Sequence, residues 1–138
     1  MVDKLLTTII SGKRKTAVAR LRIKEGKGNI FFNGLPYTEM TLFHKLALAE
    51  PLRIYEQELS EGVSYDFYIT ARGGGKEAQI QAARLALART LVFISGSDVL
   101  KKAYIAYDRN IIVPDARRKE ASKPGDSAPR AKRQKSYR

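Results

Sequence analysis

The sequence predicts one globular domain built from both strands and helices, with a basic arm at its C-terminal end. The strands are predicted by apolar and polar residues that alternate over 16–24 and 63–72, the pattern of a half-buried strand. The main helix is predicted by an apolar stripe at helical spacing over 77–94. The arm is predicted by residues 117–138, which contain almost nothing that could enter a hydrophobic core. At 138 residues, 43% of them hydrophobic, the chain has room for one core before the arm begins.

The first predicted strand carries a row of positive charges along one face. Its apolar face comprises Ala17, Ala19, Leu21 and Ile23, and its opposite face comprises Thr16, Val18, Arg20, Arg22 and Lys24. Charges on alternate residues of a strand lie roughly 6.6 Å apart, which is close to the phosphate repeat along a nucleic-acid strand. The row is therefore a candidate nucleic-acid contact, and an ordinary solvent-exposed face is the alternative.

Turn residues connect this strand to the next. Residues 25–28 are typical of a turn and 29–33 of a second strand, so the sequence predicts a hairpin with 16–24. After the strand over 63–72, the short apolar run 111–113 is predicted to form a last strand, closed by Pro114.

Two shorter helices are predicted beside the long one. The first covers 41–50, and Pro51 is expected to end it or to start a second short turn. The long helix is predicted to stop at Gly96. Ser97 or Asp98 would then cap a short helix over 99–104.

A glycine-rich turn joins the strand over 63–72 to the long helix. It consists of Gly73, Gly74, Gly75 and Lys76. Backbone N–H groups at a helix N-terminus suit a phosphate, and Arg72 adds charge. The spacing is not that of a P-loop, because Thr70 and Glu77 stand where that motif needs glycine and Ser/Thr. Phosphate contact and a purely conformational turn with positive φ both remain open.

The positive charge is concentrated in two segments. The net charge is +12; residues 12–28 supply +6, residues 114–138 supply another +6, and the rest of the chain is balanced. Charge added only for solubility would be spread over the surface, whereas this distribution is typical of a nucleic-acid footprint. For the arm itself, a solvated tail is the alternative to a segment that becomes ordered on an anionic partner.

Composition excludes several functional classes. The absence of cysteine excludes disulfides, thiolate metal sites and a cysteine nucleophile. His44 is the single histidine, and we assign it no role. The amino-terminal apolar run is too short for a signal peptide, and no stretch approaches the length that spans a bilayer. We therefore expect a soluble intracellular protein.

Five sequence blocks, in order, carry a resemblance to a known family. They are SGKRKTAVAR (11–20), EGKGNIFFNGLP (25–36), ARGGGKEAQIQAARLALARTL (71–91), YDRNIIVPDARRKE (107–120) and PRAKRQKSYR (129–138). They resemble the signature blocks of the small-subunit ribosomal protein family number nine, the counterpart of the eukaryotic small-subunit protein number sixteen. The Tyr107-Asp108-Arg109 and Ser136-Tyr137-Arg138 sequences resemble the archaeal or eukaryotic type.

The resemblance implies a fold and a place of action. The implied fold is α+β, a four-stranded sheet with helices packed on one face, similar to the second domain of ribosomal protein number five. Residues 1–114 would form this RNA-binding domain and residues 115–138 an extended basic arm. The implied function is that of a structural, non-catalytic, cofactor-free constituent of the small ribosomal subunit, in the cytoplasm. Its partners would be the 3′ major domain of the small-subunit rRNA, neighbouring proteins of the head, and the anticodon stem-loop of the P-site tRNA.

The resemblance and the charge pattern together give the candidate site residues. In the domain, rRNA contacts are expected from Lys13, Arg14, Lys15, Arg20, Arg22, Lys27, Arg72, Gly73, Gly74, Gly75, Lys76 and Arg109. In the arm they are expected from Arg117, Arg118, Lys119, Lys123, Arg130, Lys132, Arg133 and Lys135. Contacts with tRNA are expected from Ser136, Tyr137 and Arg138, with Tyr137 suited to stacking on a base or sugar.

Two other classes of function fit parts of the sequence. A free-standing nucleic-acid or chromatin-like binder would use the same charge pattern without associating with ribosomes. A phosphate-handling enzyme would use the glycine turn, although the sequence shows neither P-loop spacing nor a carboxylate pair beside it.

Overall fold

A computed structural model of the chain describes residues 8–60, 62–125, 128–132 and 136–137, which form a mixed sheet with helices on one face. The five strands are β1 (Ile9–Arg14), β2 (Ala17–Glu25), β3 (Ile30–Phe32), β4 (Leu35–Pro36) and β5 (Tyr65–Arg72). The three α-helices are α1 (Leu42–Leu59), α2 (Lys76–Ser95) and α3 (Asp98–Tyr107). The α+β class is confirmed, with five strands instead of the four that the resemblance implied.

The strand order of the sheet is β1-β2-β5-β3-β4. The pairs β1–β2, β2–β5 and β3–β4 are antiparallel, whereas β3 pairs parallel with β5. The predicted hairpin between 16–24 and 29–33 is therefore wrong, although both strands exist. The physical reason is that β5 lies between them and pairs with both, antiparallel with β2 and parallel with β3. On the β3 side, Phe67 N donates to Asn29 O at 2.8 Å, and Asn33 N donates to Ile69 O at 2.8 Å.

The predicted strand over 111–113 is also wrong. Arg109–Ile111 form a single turn of 3-10 helix, and Asp108 caps it by accepting a hydrogen bond from Asn110 N at 2.9 Å. Ile111 is fully buried in the core. The apolar run therefore closes the core beneath the helices and adds no strand to the sheet.

Helix α2 is the centre of the packing. One side of it lies on β1, β2 and β5, and other sides contact α1 and α3. This is why it buries residues beyond the predicted stripe, among them Ala82, Ala86, Ala88 and Thr90. The other face of the sheet is left without a helix, and the alternating burial of β2 places Ala17, Ala19, Leu21 and Ile23 on the α2 side.

Helix α1 continues through Pro51, so the expectation that the helix ends or restarts there is wrong. Pro51 removes one backbone donor from the helix, but it is buried together with Leu48 and Tyr55 on the packed face. The buried Tyr104 hydroxyl donates to Pro51 O at 2.7 Å, and burial raises the pKa of that hydroxyl above its ordinary value. Tertiary packing between α1 and α3 thus holds the helix together at the proline.

The predicted boundary between α2 and α3 is confirmed. Gly96 ends α2 in the left-handed conformation, with φ of 59°, as glycine commonly does at this position. Ser97 is the N-cap of α3, and its Oγ accepts a hydrogen bond from Leu100 N at 3.4 Å. Helix α3 then runs to Tyr107, three residues past the predicted end.

Candidate nucleic-acid interface

The face of the sheet opposite α2 exposes the predicted row of cations. Arg20, Arg22 and Lys24 are exposed on β2, and Arg72 is exposed on β5. Strand register places Arg20 beside Thr70 and Arg72 beside Val18, so that the charges of two strands share one surface. We call this surface the open face; it is formed by Val18, Arg20, Arg22, Lys24, Tyr68, Thr70 and Arg72, with Ile9 of β1 at its edge.

The open face is concave as well as positively charged. The residues that form it line a depression of about 600 Å³. Arginine can bind a phosphate through two hydrogen bonds, and lysine offers a point charge. Two neighbouring strands therefore present several cationic donors around one concavity, an arrangement suited to a sugar–phosphate backbone.

An aromatic pair lies at one end of the open face, and the sequence interpretation missed it. The rings of Phe31 and Tyr68 are stacked, with centroids 4.9 Å apart and planes at 13°. Lys24 Nζ lies 4.9 Å from the centroid of the Tyr68 ring. A sequence signal existed, because Tyr68 stands on the exposed face of a predicted alternating strand, but the parallel pairing that brings Phe31 beside it was not foreseen.

The β1–β2 turn and the glycine turn lie side by side. Lys15 adopts a positive φ of 52° in the first turn, and Gly73 and Gly74 adopt φ of 77° and 62° in the second. A Cβ on Gly73 would lie 2.6 Å from Thr16 O, so the two turns approach too closely for a side chain there. Glycine is therefore favoured at these positions by the positive φ angles and by the close approach of the neighbouring turn.

This contact between turns brings together predicted site residues that are far apart in sequence. Lys13 and Lys15 on one side and Arg72 and Lys76 on the other are all exposed at the same end of the sheet. Phosphate binding at this end remains a prediction. In the first turn of α2, Glu77 Oε1 lies 2.8 Å from His44 Nε2, which gives the histidine a structural partner.

Arg14 differs from its neighbours because it already has an anionic partner. It forms an ion pair with Asp115 and is part-buried. Arg117 pairs with the same carboxylate through Nη2 at 2.7 Å. The hydrogen bonds from Arg117, followed by that from Arg14, lower the pKa of Asp115. Asp115 thus binds the start of the basic C-terminal segment to the β1–β2 hairpin.

A second contact fixes the same region from the helix side. Arg89 Nε donates to Ile112 O at 2.9 Å, and its Nη1 donates to Ser11 O at 3.1 Å. One side chain of α2 therefore connects β1 to the chain that leaves α3. Together with Asp115, it sets where the C-terminal segment departs from the domain.

The C-terminal segment presents most of its predicted contacts to solvent. Arg117, Arg118, Lys119, Lys123, Arg130 and Lys132 are exposed, as are Ser136 and Tyr137. Arg109, in the 3-10 turn that precedes this segment, is exposed too. Glu120 and Arg130 are joined by two hydrogen bonds, of 2.6 and 3.0 Å, so the chain folds back between them instead of running straight. The predicted contacts at Arg133, Lys135 and Arg138 lie outside the described residues.

Lys27 lies in the loop after β2, apart from the open face. Its side chain is exposed, and its backbone N donates to Asp66 Oδ1 at 3.0 Å, beside a 2.9 Å bond from Asn29 N. These bonds, led by that from Asn29, lower the pKa of Asp66. The predicted rRNA contact at Lys27 is therefore carried by an ordered loop.

Within 8–60, 62–125, 128–132 and 136–137, no group of three or more metal-ligating side chains could hold a metal ion. None of the helices in this part of the chain is long and apolar enough to cross a membrane.

A cationic open face on a sheet, followed by a basic C-terminal segment, is typical of nucleic-acid-binding proteins. Residues 12–138 match the family model described as ribosomal protein S9/S16. The chain belongs to this family, and the resemblance drawn from its five sequence blocks is confirmed.

Curated relatives cover nearly all of the chain. A protein of Methanococcus maripaludis strain C5 named small ribosomal subunit protein uS9 is 44% identical over 130 residues, covering 92% of this chain and 95% of the relative. A protein of the same name from Methanothrix thermoacetophila is 43% identical over 129 residues, covering 93% and 96%. Both come from archaea, in line with the type that the sequence resembles.

Proposed function

We propose that this chain binds the 3′ major domain of the small-subunit rRNA in the head, and reaches the P-site tRNA with its C-terminal arm. As a ribosomal protein of the small subunit, it works in translation in the cytoplasm. Its role in this proposal is structural: the protein holds RNA and performs no reaction.

The open face is the observation that carries the proposal. Four exposed cations, Arg20, Arg22, Lys24 and Arg72, share a helix-free surface on two adjacent strands. Among the described residues no helix packs on this surface, and its positive charges are suited to phosphates. The other side of the sheet is occupied by α2, so rRNA would approach from the open side.

The cationic surface extends to the end of the sheet where the β1–β2 turn and the glycine turn lie side by side. Lys13 and Lys15 would contact rRNA from the β1–β2 hairpin, and Lys76 would do so beside the glycine turn. The free N–H groups at the start of α2 lie at the positive end of the helix dipole and favour a phosphate there. Arg14 would act mainly by holding Asp115, because its guanidinium is already paired.

The C-terminal arm supplies the longer reach. Fully extended, residues 121–138 span roughly 60 Å, and the exposed Glu120–Arg130 pair is of a kind that contributes little to stability. Phosphates would replace Glu120 as the partner of Arg130 when the arm lies along rRNA. Tyr137, with 89% of its surface exposed, has a ring free to stack at the tRNA.

Neighbouring proteins of the head are proposed partners of the helix side. There, α1 and α3 expose the apolar side chains of Leu42, Phe43, Val99 and Ile105. Cations and carboxylates are mixed on these helices, so this side suits protein better than RNA.

Removal of residues 129–138 tests the proposal. These residues include five cations and no described core residue, so the truncated protein should melt like the full chain. Small subunits reconstituted with it should sediment normally in high salt, because the open face is intact. They should bind P-site tRNA more weakly, by about tenfold, through the loss of contacts near the tRNA.

The readouts separate the two halves of the proposal. A full-length protein that dissociates from the small subunit would overturn rRNA binding. Normal tRNA binding by subunits that carry the truncated chain would overturn only the role of the arm at the P site.

A further inference from the structure

The ring of Tyr68 has two close neighbours in the open face. Phe31 on β3 stacks against it at 4.9 Å between centroids, and Lys24 on β2 places Nζ 4.9 Å from its centroid. Strand β5 lies between β2 and β3, so these two neighbours approach Tyr68 from opposite directions. Phe31 and Arg22 lie directly opposite Tyr68 on the two neighbouring strands, and Lys24 reaches the ring diagonally from the position opposite Asp66.

This arrangement limits what Tyr68 can do with RNA. A base stacks on an aromatic side chain by covering a free face of its ring. Phe31 already stacks on this ring and the Lys24 ammonium already lies over it, so a base would have to compete with both neighbours. Lys24, in contrast, gains a fixed position above the sheet through the attraction of its ammonium group to the ring.

The positive charge of Lys24 is not neutralised by Asp66, the residue opposite it on the neighbouring strand. Asp66 lies directly opposite Lys24 on β5. Its Oδ1 accepts hydrogen bonds from the backbone of Lys27 and Asn29, and among the described residues it forms no ion pair with Lys24. The charge of Lys24 is therefore available to an external anion.

We propose that Tyr68 is a positioning residue that holds Lys24 in the cationic row, so that this end of the open face binds the phosphate backbone without stacking on a base. The inference rests on the proposed rRNA binding and adds how the open face recognises RNA. Because a backbone contact is indifferent to base identity, this end of the surface would fix the position of an rRNA strand irrespective of its sequence.

A double-mutant cycle on Lys24 and Tyr68 tests the inference. The variants are Lys24→Gln, Tyr68→Leu and the combination, assayed in full-length protein for affinity to a 3′ major domain rRNA fragment across a range of salt concentrations. Each single change should weaken binding about three- to tenfold, since it loses one phosphate contact or its orientation. Tyr68→Leu should add almost nothing in the Lys24→Gln background.

Two further readouts identify the mechanism. Lys24→Gln should make the slope of log affinity against log salt shallower by about 0.7 to 0.9, the value for one phosphate. Tyr68→Phe should bind like the unmodified chain, because the ring is kept. Melting temperatures of the variants identify any loss that comes from unfolding.

The opposite pattern would overturn the inference. If Tyr68→Leu weakens binding equally with and without Lys24, and the loss depends on the bases offered, Tyr68 stacks on RNA. Unchanged affinity of a folded Lys24→Gln variant would also overturn it. If the unmodified chain does not bind the fragment at all, the proposed function itself fails, which is a distinguishable result.

Discussion

Gly12→Ala is expected to destabilise the domain by about 3 kcal/mol or more, the range of severe overpacking. Gly12 is buried in β1 and faces α2. A Cβ at this position would lie 2.1 Å from Ala82 O and 2.8 Å from Ala86 N. Both are backbone atoms of a central helix, so they cannot yield as a flexible side chain would. The methyl group must separate β1 from α2.

Thermal or urea unfolding measures this effect, with Gly62→Ala as the matched control. Gly62 is exposed, and a Cβ there would meet nothing within 4 Å. The control should stay within about 1 kcal/mol of the unmodified chain. Equal stability of the two variants would contradict the close packing of β1 on α2.

Replacing Arg20, Arg22 and Arg72 together with glutamine is expected to weaken rRNA binding about a hundredfold or more near 0.1 M salt, since three charged contacts are lost. The salt slope should become shallower by about 2 to 3. All three side chains are exposed, so the variant should keep its fold. Affinity measured by filter binding across salt concentrations gives both quantities.

A control with the same change in net charge lies on the helix side. Arg53 on α1 and Lys101 and Lys102 on α3 are exposed, and their replacement by glutamine also removes three charges. The control should lose far less affinity than the open-face variant. Similar losses in both would mean that net charge, and no particular surface, governs binding.

The sequence predicts correctly those strands and helix ends that are determined by residues close to one another in the chain. Strand β2 was predicted because its apolar residues alternate, and the cations on its other face were predicted with it. The end of α2 at Gly96 and the cap at Ser97 follow from residue chemistry within a few positions. For the same reason, strand periodicity alone suffices to assign Arg20, Arg22 and Arg72 to an exposed surface.

Features set by distant contacts were not predictable in this way. The turn at 25–28 indicated a hairpin, but β5, about forty residues later, pairs with both strands. Strand β1 was missed because Gly12 interrupts its apolar pattern, and that glycine is required only by the approach of α2. Helix α1 continues through Pro51, which is buried on the packed face and accepts a hydrogen bond from Tyr104, more than fifty residues later.

In the candidate site, too, some features follow from the local sequence and others depend on residues that are distant in the chain. Exposure of the arginine row follows from period two, whereas the position of Lys24 depends on Tyr68 and Phe31 from two other strands. Arg14 looked equivalent to Lys13 and Lys15 in sequence. Its pairing with Asp115, about a hundred residues later, emerges only from the fold.

Electron cryomicroscopy of the small subunit containing this chain would test the central claim most directly. The measurement is the distance from the guanidinium groups of Arg20, Arg22 and Arg72 to the nearest rRNA phosphate oxygens. We predict ion-pair distances of about 4 Å or less for at least two of the three. An open face that points into solvent or against another protein, with rRNA on the α1 and α3 side, would contradict the account.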